Sequence, residues 1–153
     1  MIMADLSLYL SAAAIAALPL NMTTKEAADW KFLKAVALVE SGDKYNTIGD
    51  GGRALGKYQM HMGAWVDGNT WLKAHGRKTW TRSSWLNPKA QDQVAYGFLQ
   101  ATKERLINGG HEADPITIYL VYAMGYQGWK DAAGQIPVDK ADAAVRVGNL
   151  FTQ

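Results

Sequence analysis

Five of the chain's 15 glycines fall between positions 42 and 56: Gly42, Gly49, Gly51, Gly52 and Gly56. With Asn46 and Asp50 among them, this stretch carries turn chemistry and cannot continue a helix. It separates one helical pattern before it from several after it. The expected product is a small hairpin or irregular lobe set into an α+β domain that is mostly α.

The flanking segments carry clear helix signals. Thr23-Thr24-Lys25-Glu26 is a capping-box pattern that predicts a helix to about Glu40, stopped by Gly42. Trp30, Leu33, Val36, Ala37 and Glu40 share one face at 3.6-residue spacing, so an acid ends an apolar stripe. A short helix is expected over 63–74. Asn87-Pro88 opens the clearest helix, lined by Ala90, Val94, Phe98, Leu99, Thr102 and Leu106 and ended by Gly109-Gly110. Asp114-Pro115 repeats the start signal for an apolar helix ending at Gly125, and a last helix runs from about Asp139 to Leu150. No repeat or linker interrupts 23–153, which reads as a single domain. Residues 6–20 are apolar and resemble an export segment, but MIMAD before them has no positive charge. At 15 residues the run is short for a membrane span, so residues 1–22 are expected to form a buried helix ending before Pro19.

Composition narrows the chemistry. A net charge of +2 is too mild to point to nucleic acid, where a strongly basic face is expected. With no cysteine, disulfides and thiolate metal sites are excluded, and the source tilts towards bacteria or phage. Six Trp and seven Tyr suit either a ring-rich core or stacking on sugar faces. Residues 51–57 fit the start of a phosphate-binding loop, but Tyr58 stands where Ser or Thr must hold magnesium, so no nucleotide is expected. His61, His75 and His111 are scattered and form no zinc-ligand spacing. Lys73, Arg77, Lys78 and Arg82 interleave with Trp71 and Trp80, a pattern that fits a sparse nucleic-acid patch and equally a solvated face that meets an anionic glycan.

Glu40 is the residue whose position asks for chemistry. An acid at a helix C-terminus meets the unfavourable end of the dipole. Cleavage of a glycosidic bond needs an acid to protonate the leaving oxygen, and apolar surroundings such as Trp30, Leu33 and Val36 favour the protonated form. The series Glu40-Ser41-Gly42, Gly56-Lys57-Tyr58-Gln59-Met60 and Tyr122-Ala123-Met124-Gly125 resembles the lysozyme-like superfamily, and most closely the soluble lytic transglycosylases. GKYQMHMGAWVDG, residues 56–68, is also similar to the invertebrate-type lysozymes. The resemblance spans roughly residues 30 to 130.

The resemblance implies a lysozyme-like fold, a helical core with the glycine-rich lobe flanking a cleft, and cleavage of the β-1,4 bond of peptidoglycan. Glu40 takes the general acid/base role and Ser41 orients it. Gln59 contacts sugar, Tyr122 bonds near the acid, and Tyr58, Met60 and Tyr126 complete the substrate-binding set. Two positions depart from the pattern: Ala123 replaces the usual Asn, and Lys57 stands on an expected solvent face where an apolar residue or Pro is usual. Hydrolysis needs a second carboxylate, for which Asp43, Asp50 and Asp67 are candidates and Asp50 the best placed. If Asp50-Gly51 is only a turn dipeptide, Glu40 acts alone and the substrate's 6-hydroxyl closes an anhydro ring. No metal or organic cofactor is expected. The expected partner is the peptidoglycan strand, met in a periplasmic, extracellular or virion-associated setting. The competing class is a non-catalytic lysozyme-like module that binds glycan or serves as a virion component; retention of Glu40 argues for the enzyme.

Overall fold

The helix starts signalled by Thr23, Asn87 and Asp114 each begin with a side chain that satisfies the first free backbone amides. A computed structural model describes residues 22–153, so the apolar run at 6–20 lies outside the described residues. The Glu26 amide donates to Thr23 Oγ1 at 3.1 Å, and the Thr23 amide donates to Glu26 Oε2 at 3.0 Å. This reciprocal cap opens α1, Thr24–Ser41. After the lobe comes α2, Met62–Ala74. Asn87 Oδ1 accepts from the amides of Lys89 at 3.0 Å and Ala90 at 3.4 Å and opens α3, Pro88–Asn108. Asp114 accepts from the Thr117 amide at 3.0 Å and opens α4, Pro115–Met124. Such caps are worth about 1 kcal/mol each. A short α5, Tyr126–Ala132, was not foreseen; it restarts directly after Gly125, which turns the chain at φ 75°. The last helix, α6, is Val138–Phe151.

The glycine-rich stretch folds as expected into a minimal antiparallel pair, β1 Ile48–Gly49 and β2 Ala54–Leu55, with Ile48 opposite Leu55 and Gly49 opposite Ala54. A 3₁₀ turn at Asp50–Gly52 joins them. The architecture is therefore α+β and mostly α. No helix among the described residues is long and apolar enough to cross a membrane.

Two compact units are distinguishable, with boundaries inside α1 and α3. One comprises residues 36–101, the other the described residues up to 35 together with 102–153. In the first, α2 and α3 approach backbone to backbone. A Cβ on Gly68 would lie 2.4 Å from the Val94 carbonyl oxygen, and one on Gly97 would lie 2.4 Å from the Gly68 carbonyl oxygen. Neither position admits a side chain. Buried residues here include Val36, Ala37, Tyr58, Met60, Trp65, Leu72, Val94 and Leu99.

In the second unit Phe32 meets Phe151 edge-on at 6.1 Å, and Leu33, Leu106, Ile118, Tyr119 and Val147 are fully or nearly fully buried. Beside this apolar set, Lys103 Nζ lies 2.6 Å from Asp29 Oδ1, with the Asp29 side chain fully buried. Periodicity along α1 gave Trp30, Leu33, Val36, Ala37 and Glu40 as the inner stripe. Leu33, Val36 and Ala37 are buried, Trp30 and Glu40 are half-buried, and Ala28, Asp29 and Phe32 widen the buried face. Removing one member of a buried ion pair strands the other charge. Asp29→Ala is expected to lower stability by about 3–5 kcal/mol in urea denaturation, while Asp29→Leu combined with Lys103→Met recovers most of that loss.

Candidate functional site

Glu40 sits in the last turn of α1, half-buried, at the point where the chain leaves the helix. Gly42 and Asp43 both take left-handed backbone angles, at φ 65° and 69°, and their amides donate back to the carbonyls of Leu38 and Ala37. Between them and Glu40, the Ser41 hydroxyl donates to the Lys57 carbonyl at 2.7 Å and accepts from the Lys44 amide at 3.0 Å. Ser41 thus ties the end of the acid-bearing helix to the Gly-Lys-Tyr-Gln segment 16 residues later.

That segment is organised from behind by Gln91, which is fully buried in the first turns of α3. Its Oε1 accepts from the Lys57 amide at 2.7 Å, and its Nε2 donates to the Tyr45 carbonyl at 2.8 Å and to the Trp85 carbonyl. Gly56 has φ 83°, and a Cβ there would sit 2.2 Å from Gln91 Oε1. Glycine is therefore required at 56 twice over, by its angle and by the approach of the amide. Gln59 is half-buried at φ 48°, and its Nε2 donates to the carbonyls of Gly56 at 2.9 Å and Thr47 at 3.2 Å. Gly49 leaves room for it, since a Cβ there would lie 2.2 Å from Gln59 Oε1.

The expected substrate-binding set divides by burial. Met60 is 1% and Tyr58 3% exposed, so neither side chain faces solvent as a sugar contact would require. These two side chains turn inward, while Gln59 is half-buried. Tyr58 instead donates its hydroxyl to Asp92 Oδ1 at 2.8 Å. Tyr122 and Tyr126 belong to the other unit. There Tyr122 is buried on α4, and Tyr126 packs against Trp129 and His111 with ring centres 6.1 Å from each.

Lys57 also corrects its sequence reading. It is not on a solvent face: its side chain is 13% exposed. Its Nζ lies 3.1 Å from Asp43 Oδ1 and 4.6 Å from the centre of the Tyr45 ring. The Tyr45 hydroxyl in turn donates to Asp92 Oδ2 at 2.9 Å. Asp43, Tyr45, Lys57, Tyr58 and Asp92 thus form one continuous polar cluster behind the lobe. Burial pushes the Tyr45 phenol above its usual range, helped by the hydrogen bond and charge of Asp92 and opposed by Lys57. Burial alone would lower the Lys57 ammonium, but its bonds to Asp43 and Tyr45 and the charge of Asp92 hold it above its usual range.

Asp50 lies on the exposed outer turn at φ 49°. Its Oδ1 accepts from Arg53 Nη2 at 2.8 Å, and its Oδ2 is 3.2 Å from His61 Nε2. Arg82 anchors the other side of the lobe by donating to the Met60 carbonyl at 2.9 Å. Gln91, Asp92 and Tyr45 were missed from sequence. No local signal marks them, since Gln91 and Asp92 reach Lys57, Tyr45 and Tyr58 from 34 to 47 positions away. Among the described residues, no group of three or more His, Asp or Glu side chains gathers as a metal site. Comparison with protein-family models, curated proteins and solved structures returns no match for this chain.

Two outcomes follow. Gln91→Leu leaves the Lys57 amide and the Tyr45 and Trp85 carbonyls unpaired, each unmade bond costing about 1–3 kcal/mol, so hydrogen exchange at the Lys57 amide is expected to accelerate at least tenfold. Tyr45 and Lys57 both have folded pKa values raised above the unfolded ones. Their contribution is fully present below about pH 10 and is lost as pH rises through the folded values. Stability measured in urea from about pH 9 to about pH 11.5 is expected to fall more steeply in the native sequence than in the Tyr45→Phe, Lys57→Met double variant.

Proposed function

We propose that this chain is a muramidase-type enzyme with a lysozyme-like fold that cleaves the β-1,4 glycosidic bond of peptidoglycan, with Glu40 as general acid and base. The observation that carries this reading is the 2.7 Å bond from Ser41 to the Lys57 carbonyl. It joins the two halves of the motif, the acid at a helix end and the Gly-x-x-Gln segment, in the order in which such a site uses them. Glu40 is half-buried, which leaves its carboxyl group within reach of a substrate. Ser41 follows Glu40 at the helix end, Gln59 is held within the segment by its bonds to the Gly56 and Thr47 carbonyls, and Tyr58 and Met60 support that segment from the interior. Periplasmic, extracellular or virion-associated action follows from the substrate.

Asp50 is exposed and already engaged by Arg53 and His61, which favours Glu40 acting alone. The Glu40 carboxyl group gives its proton to the bridging oxygen as the C1–O bond breaks. The substrate's own 6-hydroxyl attacks C1, its proton returns to the Glu40 carboxylate, and a 1,6-anhydro ring forms. The step needs no oxidant and consumes no water.

The test is clearance of purified cell walls followed by mass spectrometry of the fragments. Glu40→Gln is expected to lower the rate by about a hundredfold or more, the usual worth of a general acid. Asp50→Asn is expected to retain most activity, with anhydro ends in the products. Equal clearance by Glu40→Gln would refute the reading, and reducing ends lost on Asp50→Asn would reassign Asp50 as the second carboxylate.

A further inference from the structure

Residues 68–91 contain no acid and five cations, Lys73, Arg77, Lys78, Arg82 and Lys89, in a chain whose net charge is only +2. Residues 73–79, which leave α2, are all exposed. This loop is irregular but pinned. The Arg77 amide donates to the Leu72 carbonyl at 2.8 Å, and the Trp80 amide donates to Asn69 Oδ1 at 2.7 Å. Asn69 Nδ2 and Trp65 Nε1 both donate to the Trp80 carbonyl at 2.9 Å.

Two of its cations, Arg77 and Lys78, are held by rings rather than by carboxylates. The Arg77 guanidinium lies 5.3 Å from the Trp71 ring centre and 5.2 Å from that of Tyr96, and Lys78 Nζ lies 4.0 Å from the Trp80 ring centre. Among the described residues, no carboxylate pairs with Lys73, Arg77 or Lys78. A ring fixes the position of a cation without neutralising it, so charge and N–H donors stay available to a ligand. Because the loop is already ordered, little freedom is lost when a ligand arrives.

We propose that Lys73, Arg77 and Lys78 form a binding surface for a polyanion of spaced phosphodiesters, of the polyol-phosphate kind carried by some cell walls. Guanidinium and ammonium groups recognise phosphate oxygens by charge-assisted bonds, and Arg can do so with two at once. The aromatic rings argue against single-stranded nucleic acid as the partner. That class of ligand needs free ring faces for bases. Trp71 is stacked by His75 at 3.8 Å and carries Arg77, and Trp80 carries Lys78. Only the choice of a wall polymer as the source of phosphate rests on the proposed function; the surface itself does not.

The experiment measures co-sedimentation of the Glu40→Gln protein with purified walls bearing polyol-phosphate polymer, before and after hydrofluoric acid strips the phosphodiesters. Binding is then read without turnover and independently of whether Glu40 is catalytic. Stripping the phosphate, or introducing Lys73→Gln, Arg77→Gln and Lys78→Gln together, is expected to weaken binding about tenfold or more and to flatten its salt dependence. The charge-preserving Lys73→Arg, Lys78→Arg variant is expected to bind as before. Undiminished binding to stripped walls, or equal binding by the triple variant, would overturn the proposal. Tighter binding to a DNA duplex than to unstripped walls would overturn it in favour of nucleic acid.

Discussion

The buried Gln91 amide is the interaction on which the lobe depends. Two-residue strands supply few backbone bonds, yet the chain between Tyr45 and Trp85 must return to the same place each time it folds. One side chain on α3 reaches the carbonyl of Tyr45, the amide of Lys57 and the carbonyl of Trp85. It thereby joins three separated points of the sequence through a single rigid group. The approach is close enough to exclude any side chain at Gly56, so the glycine and the glutamine define one another. Around this anchor Ser41 fixes the end of α1 and Arg82 fixes the carbonyl of Met60.

Behind the lobe, charge rather than apolar packing completes the arrangement. Asp43 pairs directly with Lys57, and the Tyr45 hydroxyl bridges the lysine to Asp92. An apolar residue at 57 would remove the cation that pairs with Asp43 and donates to the Tyr45 hydroxyl. The departure from the pattern at position 57 is accompanied by acids that suit it.

What could be read in the sequence was whatever is decided within four residues. Thr23, Asn87 and Asp114 act on amides two or three positions away, and each opens the helix expected of it. The glycine cluster announced an irregular lobe because backbone angles are a local property. Gln91 was not visible because its partners lie 6, 34 and 46 positions away. For the candidate site, the linkage from Ser41 to Lys57 spans 16 positions and was not foreseen, whereas the placement of Glu40 at a helix end follows from short-range signals. The inward orientation of Tyr58 and Met60 does not, since it depends on which edge of the segment faces α3. Lys57 was misjudged for the same reason: its charge suggested solvent, and only the acids around it show why it can be buried. The short α5 was missed because Gly125 reads as a stop, whereas here it turns the chain into a new helix.

The contact of Gly68 with Gly97 has a consequence for how this protein can vary. Gly68 directly precedes Asn69, which holds the basic loop, and Gly97 lies six residues beyond Gln91, which holds the glycine-rich lobe. The two anchors therefore share a fulcrum made of bare backbone. Adding one carbon at either glycine would force α2 and α3 apart and shift both anchors together, although neither is the altered residue. The two surfaces are free to change their own side chains independently, but they inherit a common tolerance limit from a crossing that neither of them touches.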